Sequence, residues 1–526
     1  MSLPNAKGAV AAGHPETVRA AAAILEEGGN AFDAILAGMF AACAAEPVLA
    51  SLGGGGFLLA RPATGVPGSG AAVLYDFFAQ TPKQRDRSKT PDFYPILADF
   101  GTAQQEFHIG MGSIATPGIV KGAFEVHADL CSLPMQRIVE PAVVLSREGF
   151  LINKLQAYIF DIVGKIYLSS PESLNIFESS KAPGQLIGEG ERMVMPAYAD
   201  TLEALAGEGA DLFYRGDIGQ AIVEACRTGG GYLTAADLEG YEVIRRSPLS
   251  LDYNGTRIWT NPPPSTGGIL IAFALELLKD RGLGKEAFGS AGHLLALASA
   301  MRETNKARVD SRLHEARDSA AETLLNAEFL EAYRRNIAGH PLAQRGTTHL
   351  SVIDGDGNAA SLTLSNGEGA GYVVPGTAVM LNNMLGEEDI NPHGFHQWPE
   401  DVRMSSMMAP SLIMTADGET VALGSGGSNR IRTAILQVIL NHLEFGLSVE
   451  ESVSAPRIHY EGGLLSVEPG FDEADIGGLS LGFPDIERWD DKNLFFGGVH
   501  SVLYDPRRQD FHGAGDLRRG GVAEIL

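Results

Sequence analysis

Between Thr347 and Ser365 apolar and polar residues alternate on both sides of Gly355-Asp356-Gly357. Two alternating runs joined by a Gly/Asp turn predict a β-hairpin. With Gly355-Asp356-Gly357 as the loop, Asp354 stands opposite Asn358, Leu350 opposite Leu362, Val352 opposite Ala360 and Thr347 opposite Ser365. This register gathers Thr348, Leu350, Val352, Ala360, Leu362 and Leu364 on a mostly apolar face, and Thr347, Ser351, Ser361, Thr363 and Ser365 on the other. A slip of one residue would oppose Leu350 to Thr363 and His349 to Leu364, mixing the faces, which a half-buried sheet penalises. The hydroxyls therefore cluster at the open end of the hairpin, with Thr347 at its tip.

Elsewhere the periodicity changes. Helical patterns run from Glu16 to Glu27, ending at Gly28-Gly29, and from about Ala31 to Ala45. The apolar run from Ala34 to Ala45 is too short to span a bilayer and predicts a buried helix. Gly53-Gly54-Gly55-Gly56 follows a helix and precedes the strand-like Phe57-Leu58-Leu59-Ala60, the reverse of the order a phosphate cradle needs. Close backbone packing is the expected use of these glycines. Residues 120 to 340 read mostly as helices, among them Thr201 to Gly207, Ile218 to Arg227 and Ala291 to Val309, with Asp237 near a helix start. After the hairpin, strands alternate with glycine turns, and Gly424-Ser425-Gly426-Gly427-Ser428 leads into a helix from about Ile431 to Phe445. Such a turn presents backbone N–H groups at the positive end of a helix dipole, where a developing oxyanion is stabilised.

Two motif matches fail on their context. Asp354, Asp356 and Asn358 start a calcium-loop pattern, but Ala359 stands where glycine is needed and Ser365 where an acid is needed. Gly478-Leu479-Ser480-Leu481-Gly482 matches a nucleophile elbow, but Phe483-Pro484 prevents the helix that must follow.

Composition narrows the class. A chain of 526 residues, 44% hydrophobic, is long enough for one large or two ordinary domains with a substantial core. Charged residues make up 20%, with no low-complexity tract, which argues against disorder. A net charge of -25 argues against nucleic-acid or anionic-membrane partners. Cys43, Cys131 and Cys226 are odd in number and far apart, so neither a disulfide framework nor a zinc site is expected. As given, the N-terminus shows no basic stretch leading into an apolar core, so a cytoplasmic location is expected; a trimmed N-terminus would leave a periplasmic or secreted location open.

Seven segments occur in an order that resembles the γ-glutamyltransferase family of N-terminal nucleophile hydrolases. They are Leu52-Gly53-Gly54-Gly55-Gly56-Phe57, Ala115-Thr116-Pro117-Gly118, Asn261-Pro262-Pro263-Pro264-Ser265, Thr347-Thr348-His349, Leu381-Asn382-Asn383, Arg403-Met404-Ser405-Ser406-Met407 and Gly424-Ser425-Gly426-Gly427-Ser428-Asn429-Arg430. The resemblance implies an α+β fold, a four-layer αββα sandwich, and one self-cleavage between Gly346 and Thr347. The products would be a large fragment 1–346 and a small fragment 347–526, forming one intertwined heterodimer that is open to further dimerisation. A threonine hydroxyl is a poor nucleophile, but a chain that begins at Thr347 carries its own α-amine as base. Ser365, opposite Thr347, matches the family's supporting hydroxyl, and Gly427 and Ser428 match its two oxyanion amides. No cofactor and no metal are implied.

For the acyl group, the resemblance aligns Arg87 with an arginine that grips the substrate carboxylate, Arg85 being the alternative; a guanidinium offers a carboxylate two parallel donors. Ser405 and Ser406 match a serine pair on the same carboxylate, and Glu387, beside Glu388, matches an acid that reads the α-amino group. A family asparagine falls on Gly367, with Asn366 adjacent, and Met384 replaces a polar residue. The stretch from Glu387 to Ser405 is also shorter than in members with a lid. The acyl-transfer machinery thus matches while the γ-glutamyl pocket is altered. Three readings follow: a γ-glutamyl hydrolase or transferase acting on glutathione-type small molecules, a cephalosporin-acylase-like amidase of changed acyl specificity, or a non-catalytic relative binding a small acidic metabolite.

Overall fold

The computed structural model describes residues 6–63, 71–88, 90–99, 104–279, 281–311, 324–326, 330, 346–391 and 394–526. The strands Thr348–Asp354 and Ala359–Ser365 pair antiparallel with Leu350 opposite Leu362 and Val352 opposite Ala360, the register the alternation predicts. They are neighbours in a seven-stranded sheet ordered Val522–Ile525, Gly8–Ala12, Thr348–Asp354, Ala359–Ser365, Gly55–Arg61, Val73–Phe77 and Ile244–Arg246. A six-stranded sheet faces it, ordered Asp510–Ala514, Gly498–Asp505, Thr420–Gly426, Ser411–Met414, Thr256–Thr260 and Leu249–Tyr253.

Helices cover the outer faces, which completes four αββα layers. On the first sheet lie Pro15–Glu26 and Ala31–Ala45, packed on Leu350, Val352, Leu362 and Leu364. Every residue of Ala31–Ala45 is buried, as expected of a helix that is apolar all round. Gly267–Leu278, Ala291–Asp310 and Arg430–Leu443 form the layer on the second sheet. Among the described residues no helix is long and apolar enough to cross a membrane.

The hairpin's polar face does not meet water, as a half-buried sheet would; it meets the second sheet, and both strands are buried along their whole length. Its polar groups find partners there. Ser361 Oγ donates to the Leu423 carbonyl at 2.9 Å and Ser351 Oγ to the His500 carbonyl at 3.1 Å, while the His349 ring bonds the Thr363 and Ser351 hydroxyls at 2.8 and 2.9 Å. An unpartnered buried hydroxyl would cost about 1–3 kcal/mol, so these bonds make a polar layer tolerable inside the sandwich.

Within 120–340 the structure adds strands Ile244–Arg246, Leu249–Tyr253 and Thr256–Thr260 to the helices, and residues 312–323, 327–329 and 331–345 lie outside the described set. Asp237 closes a capping box with Thr234. Asp354 accepts N–H bonds from Ala31, Asp356 and Asn358, an anchoring role at the hairpin turn.

A buried ionic cluster fixes the segment around Asp516 against Gly498–Asp505 of the second sheet, where Asp516 accepts the Val499 N–H at 3.0 Å. Arg457 lies 2.7 Å and Arg518 3.1 Å from the Asp516 carboxylate, and Arg518 Nε donates to Glu468 at 2.7 Å. Burial pushes the Asp516 carboxyl up, but the Arg457 and Arg518 guanidiniums overcome this and hold it at about 2. Removing one partner leaves buried charge uncompensated. Asp516→Asn is therefore expected to lower the unfolding free energy by about 3–5 kcal/mol in urea denaturation; a loss near zero would contradict this role.

Candidate active site

Thr347 lies one residue before the paired strand, where the ladder ends. Thr347 Oγ1 donates to the carbonyl oxygen of its own preceding residue, Gly346, at 2.7 Å. Ser365 Oγ donates to the same oxygen at 3.1 Å and accepts the Gly367 N–H at 3.1 Å. Two hydroxyls thus meet on one carbonyl oxygen, that of the residue preceding Thr347. On the other side of that residue, Gly346 N–H donates to Glu368 Oε1 at 2.7 Å.

The glycine-rich turn closes on Thr347 from the second sheet. A Cβ on Gly426 would stand 2.1 Å from the Thr347 carbonyl oxygen, so only glycine allows this approach. Gly427 and Ser428 then turn the chain into Asn429, the N-cap of Arg430–Leu443. Ser428 takes φ +54°, a left-handed conformation that costs a non-glycine residue of order 1 kcal/mol. Arg519, buried behind this turn, points Nη1 at the Thr347 carbonyl at 3.4 Å; burial lowers its guanidinium to about 10, with Asp516, Glu46 and Glu368 opposing.

The quoted sequence motifs converge as the shell of this site. Asn382 Nδ2 donates to the carbonyls of Gly53 and Ala115 at 2.8 and 2.9 Å. Gly54 packs on the Ser365 carbonyl at 2.4 Å from where its Cβ would be, the close backbone packing expected of the glycine run. Ser265 Oγ and Asn261 Nδ2 donate to the carbonyls of Ser406 and Met408 at 2.8 and 2.9 Å. Arg403 bonds the carbonyl of Phe78 and the Tyr241 hydroxyl.

One cavity opens against Gly346 and Thr347. It brings together Thr347, Ser365, Ser428, Ser406 and Glu387 with Phe78, Met384, Ile390, Met407, Met408 and Ile431. Glu387 is 3% exposed, and its carboxylate occupies the space a Cβ on Gly367 would take, 2.2 Å from Oε1. The other candidates lie elsewhere. Arg87 is exposed and does not line the cavity. Arg85 lies with its guanidinium carbon 5.6 Å from the centre of the Trp398 ring. Ser405 is half-buried outside the cavity, and Asn366 is fully buried between Gly54 and Gly369 with neither side-chain amide atom partnered. None of the described residues lining the cavity carries a positive charge. Among the described residues no cluster of His, Cys, Asp or Glu is placed to hold a metal ion.

Sequence reasoning missed the apolar wall, Glu368 and Glu46. An acid between two glycines directly after Ser365 was the available signal for Glu368. Glu46 follows the apolar helix as its C-cap and accepts from Thr348 Oγ1 at 2.7 Å and Thr17 Oγ1 at 2.9 Å. Burial pushes its carboxyl up to about 7, against the pull of those two hydroxyls and Arg519.

A family model for gamma-glutamyltranspeptidase matches residues 17–526. The chain is 31% identical over 489 residues to a glutathione hydrolase proenzyme of Escherichia coli (strain K12), covering 85% of this chain and 80% of that protein. It is also 31% identical over 531 residues to an acylase ACY 1 proenzyme of Pseudomonas sp. (strain V22), covering 95% and 90%. The fold superposes on a cephalosporin acylase from Bacillus halodurans with TM-score 0.84 and 24% identity, over 100% of this chain and 96% of that one.

Because the folded protein binds the Glu46 proton more tightly than the unfolded chain, stability attributable to this group falls as pH rises from about 4.5 to about 7. Glu46→Gln should remove up to about 3 kcal/mol of that fall, read from denaturant unfolding at pH 5 and pH 8. An unchanged pH slope in the variant would show that Glu46 does not titrate in this range.

Proposed function

Since the chain belongs to the gamma-glutamyltranspeptidase family, we propose that it opens its own Gly346–Thr347 bond and then works through an acyl-Thr347 intermediate. Membership makes it an enzyme of amide hydrolysis and acyl transfer; the substrate and the steps are the proposal. The observation that carries it is Thr347 Oγ1 held 2.7 Å from the Gly346 carbonyl oxygen, with Ser365 on the same oxygen.

In the uncut chain Thr347 Oγ1 attacks the Gly346 carbonyl carbon, the C–N bond breaks, and the nitrogen takes the hydroxyl proton. Water then cleaves the ester, releasing a Gly346 carboxylate and restoring the hydroxyl beside a new α-amine. In each later turnover that amine accepts the hydroxyl proton as Oγ1 attacks a substrate amide. Negative charge collects on the carbonyl oxygen beside the amides of Gly427 and Ser428. The amide C–N bond breaks, the leaving amine takes the proton, and water or an amine releases the acyl group. The two fragments stay together because Thr348–Asp354 of the small one pairs with Gly8–Ala12 of the large one.

Names of relatives point both to glutathione and to acylase substrates. The cavity favours the acylase-like reading: a γ-glutamyl group brings a carboxylate, whereas this cavity has an apolar wall and a buried acid. The γ-glutamyl reading stands second, supported by Glu387 and Ser406. Thr347→Ala should give a single uncut band on a denaturing gel and no amide turnover; two fragments, or turnover, in that variant would place the nucleophile elsewhere.

A further inference from the structure

The contacts of Gly346 define the surroundings of an acyl group. Self-cleavage through Thr347 places the Gly346 carbonyl on Oγ1 as an ester, chemically the same linkage that a substrate's acyl group forms in turnover. What touches the Gly346 α-carbon and its nitrogen before cleavage is therefore what lies beside the α-carbon of a bound acyl group afterwards. Its nitrogen donates to Glu368 Oε1 at 2.7 Å, while its carbonyl receives Ser365 and Thr347.

Glu368 is built into place. It is 2% exposed, and its own N–H donates to Asn383 Oδ1 at 2.9 Å, which ties it to the Asn382-Asn383 turn that also carries Glu387. Gly367, between Ser365 and Glu368, takes φ +63° and leaves room for the Glu387 carboxylate. Glu387 lines the cavity, whereas Glu368 reaches it through Gly346 N–H and Arg519 lies behind it at the Thr347 carbonyl.

We propose that Glu368 reads an amine on the α-carbon of the acyl group, so that the preferred substrates are amides of α-amino acids with a free amino group. This rests on Thr347 as the nucleophile. A protonated α-amine would replace the Gly346 N–H as the donor to Glu368 Oε1, adding charge to that bond. In the reaction Oγ1 attacks the aminoacyl carbonyl, the amide C–N bond breaks, the leaving amine takes the Oγ1 proton, and water frees the amino acid.

The test uses the mature, self-cleaved enzyme with 4-nitroanilides. Glycyl and leucyl anilides are compared with their des-amino counterparts, the acetyl and 4-methylpentanoyl anilides, and with the γ-glutamyl anilide. We expect kcat/KM for the aminoacyl anilides to exceed that for the des-amino ones at least tenfold. Glu368→Gln should reduce this ratio by tenfold or more, chiefly through KM. A ratio near one in the unsubstituted enzyme, a preference for the γ-glutamyl anilide, or a ratio that Glu368→Gln leaves unchanged would overturn the proposal. If Glu368→Gln blocks self-cleavage, the ratio in the unsubstituted enzyme decides alone. Failure of the nucleophile assignment would look different, because Thr347→Ala would then retain turnover of every anilide.

Discussion

The antiparallel ladder that holds Thr348–Asp354 between Gly8–Ala12 and Ala359–Ser365 is the constraint on which the site depends. It ends at Thr348, so the proposed nucleophile Thr347 has a fixed backbone on one side and the proposed cleavage point, the Gly346–Thr347 peptide, on the other. Side chains alternate along a strand, so a slip of one residue would carry His349, Ser351 and Ser361 into the helix-covered core and Leu350 and Leu362 between the sheets. Both errors bury unmatched groups. Register and nucleophile position are thus one property, and cleavage at Gly346 would leave the ladder intact.

Around that ladder the sandwich carries an unusual polar interior. Hydroxyls, His349 and His500 fill the layer between the sheets, and burial lowers both imidazoles, His500 to about 4, so they remain neutral at ordinary pH. Three buried acids lie near Thr347: Glu46 accepts from Thr348, Glu368 accepts from Gly346 N–H, and Glu387 lines the cavity, while Arg519 donates to the Thr347 carbonyl. Apolar residues such as Phe78 and Met384 line the remaining wall of the cavity.

Where chemistry is encoded by period or by order, the sequence was legible. The hairpin and its register follow from alternation, and the buried helix Ala31–Ala45 follows from an uninterrupted apolar run. The glycines at 53 to 56 could be read as packing residues from the order of elements alone. Burial of the polar face was not legible, because alternation does not distinguish water from a second polar sheet. Nor was the strand Ile244–Arg246, whose partner Val73–Phe77 is distant in sequence, and the local hairpin of Leu249–Tyr253 with Thr256–Thr260 was passed over within a stretch read mostly as helix. At the site, Thr347, Ser365, Ser428, Ser406 and Glu387 meet, while Arg87, Ser405 and Asn366 do not line the same cavity; spacing along an irregular loop does not say which way a side chain turns. Phe78 carries no local signature, and only the fold brings it to the cavity; Glu368 is marked only by the glycines on either side of it.

The account turns on whether the α-amine of Thr347 becomes free. Intact mass and N-terminal sequencing of purified, active protein test this most directly. The expected result is two chains, the smaller beginning at Thr347. An active chain continuous through Gly346–Thr347, or a small fragment that begins at any other residue, would contradict it.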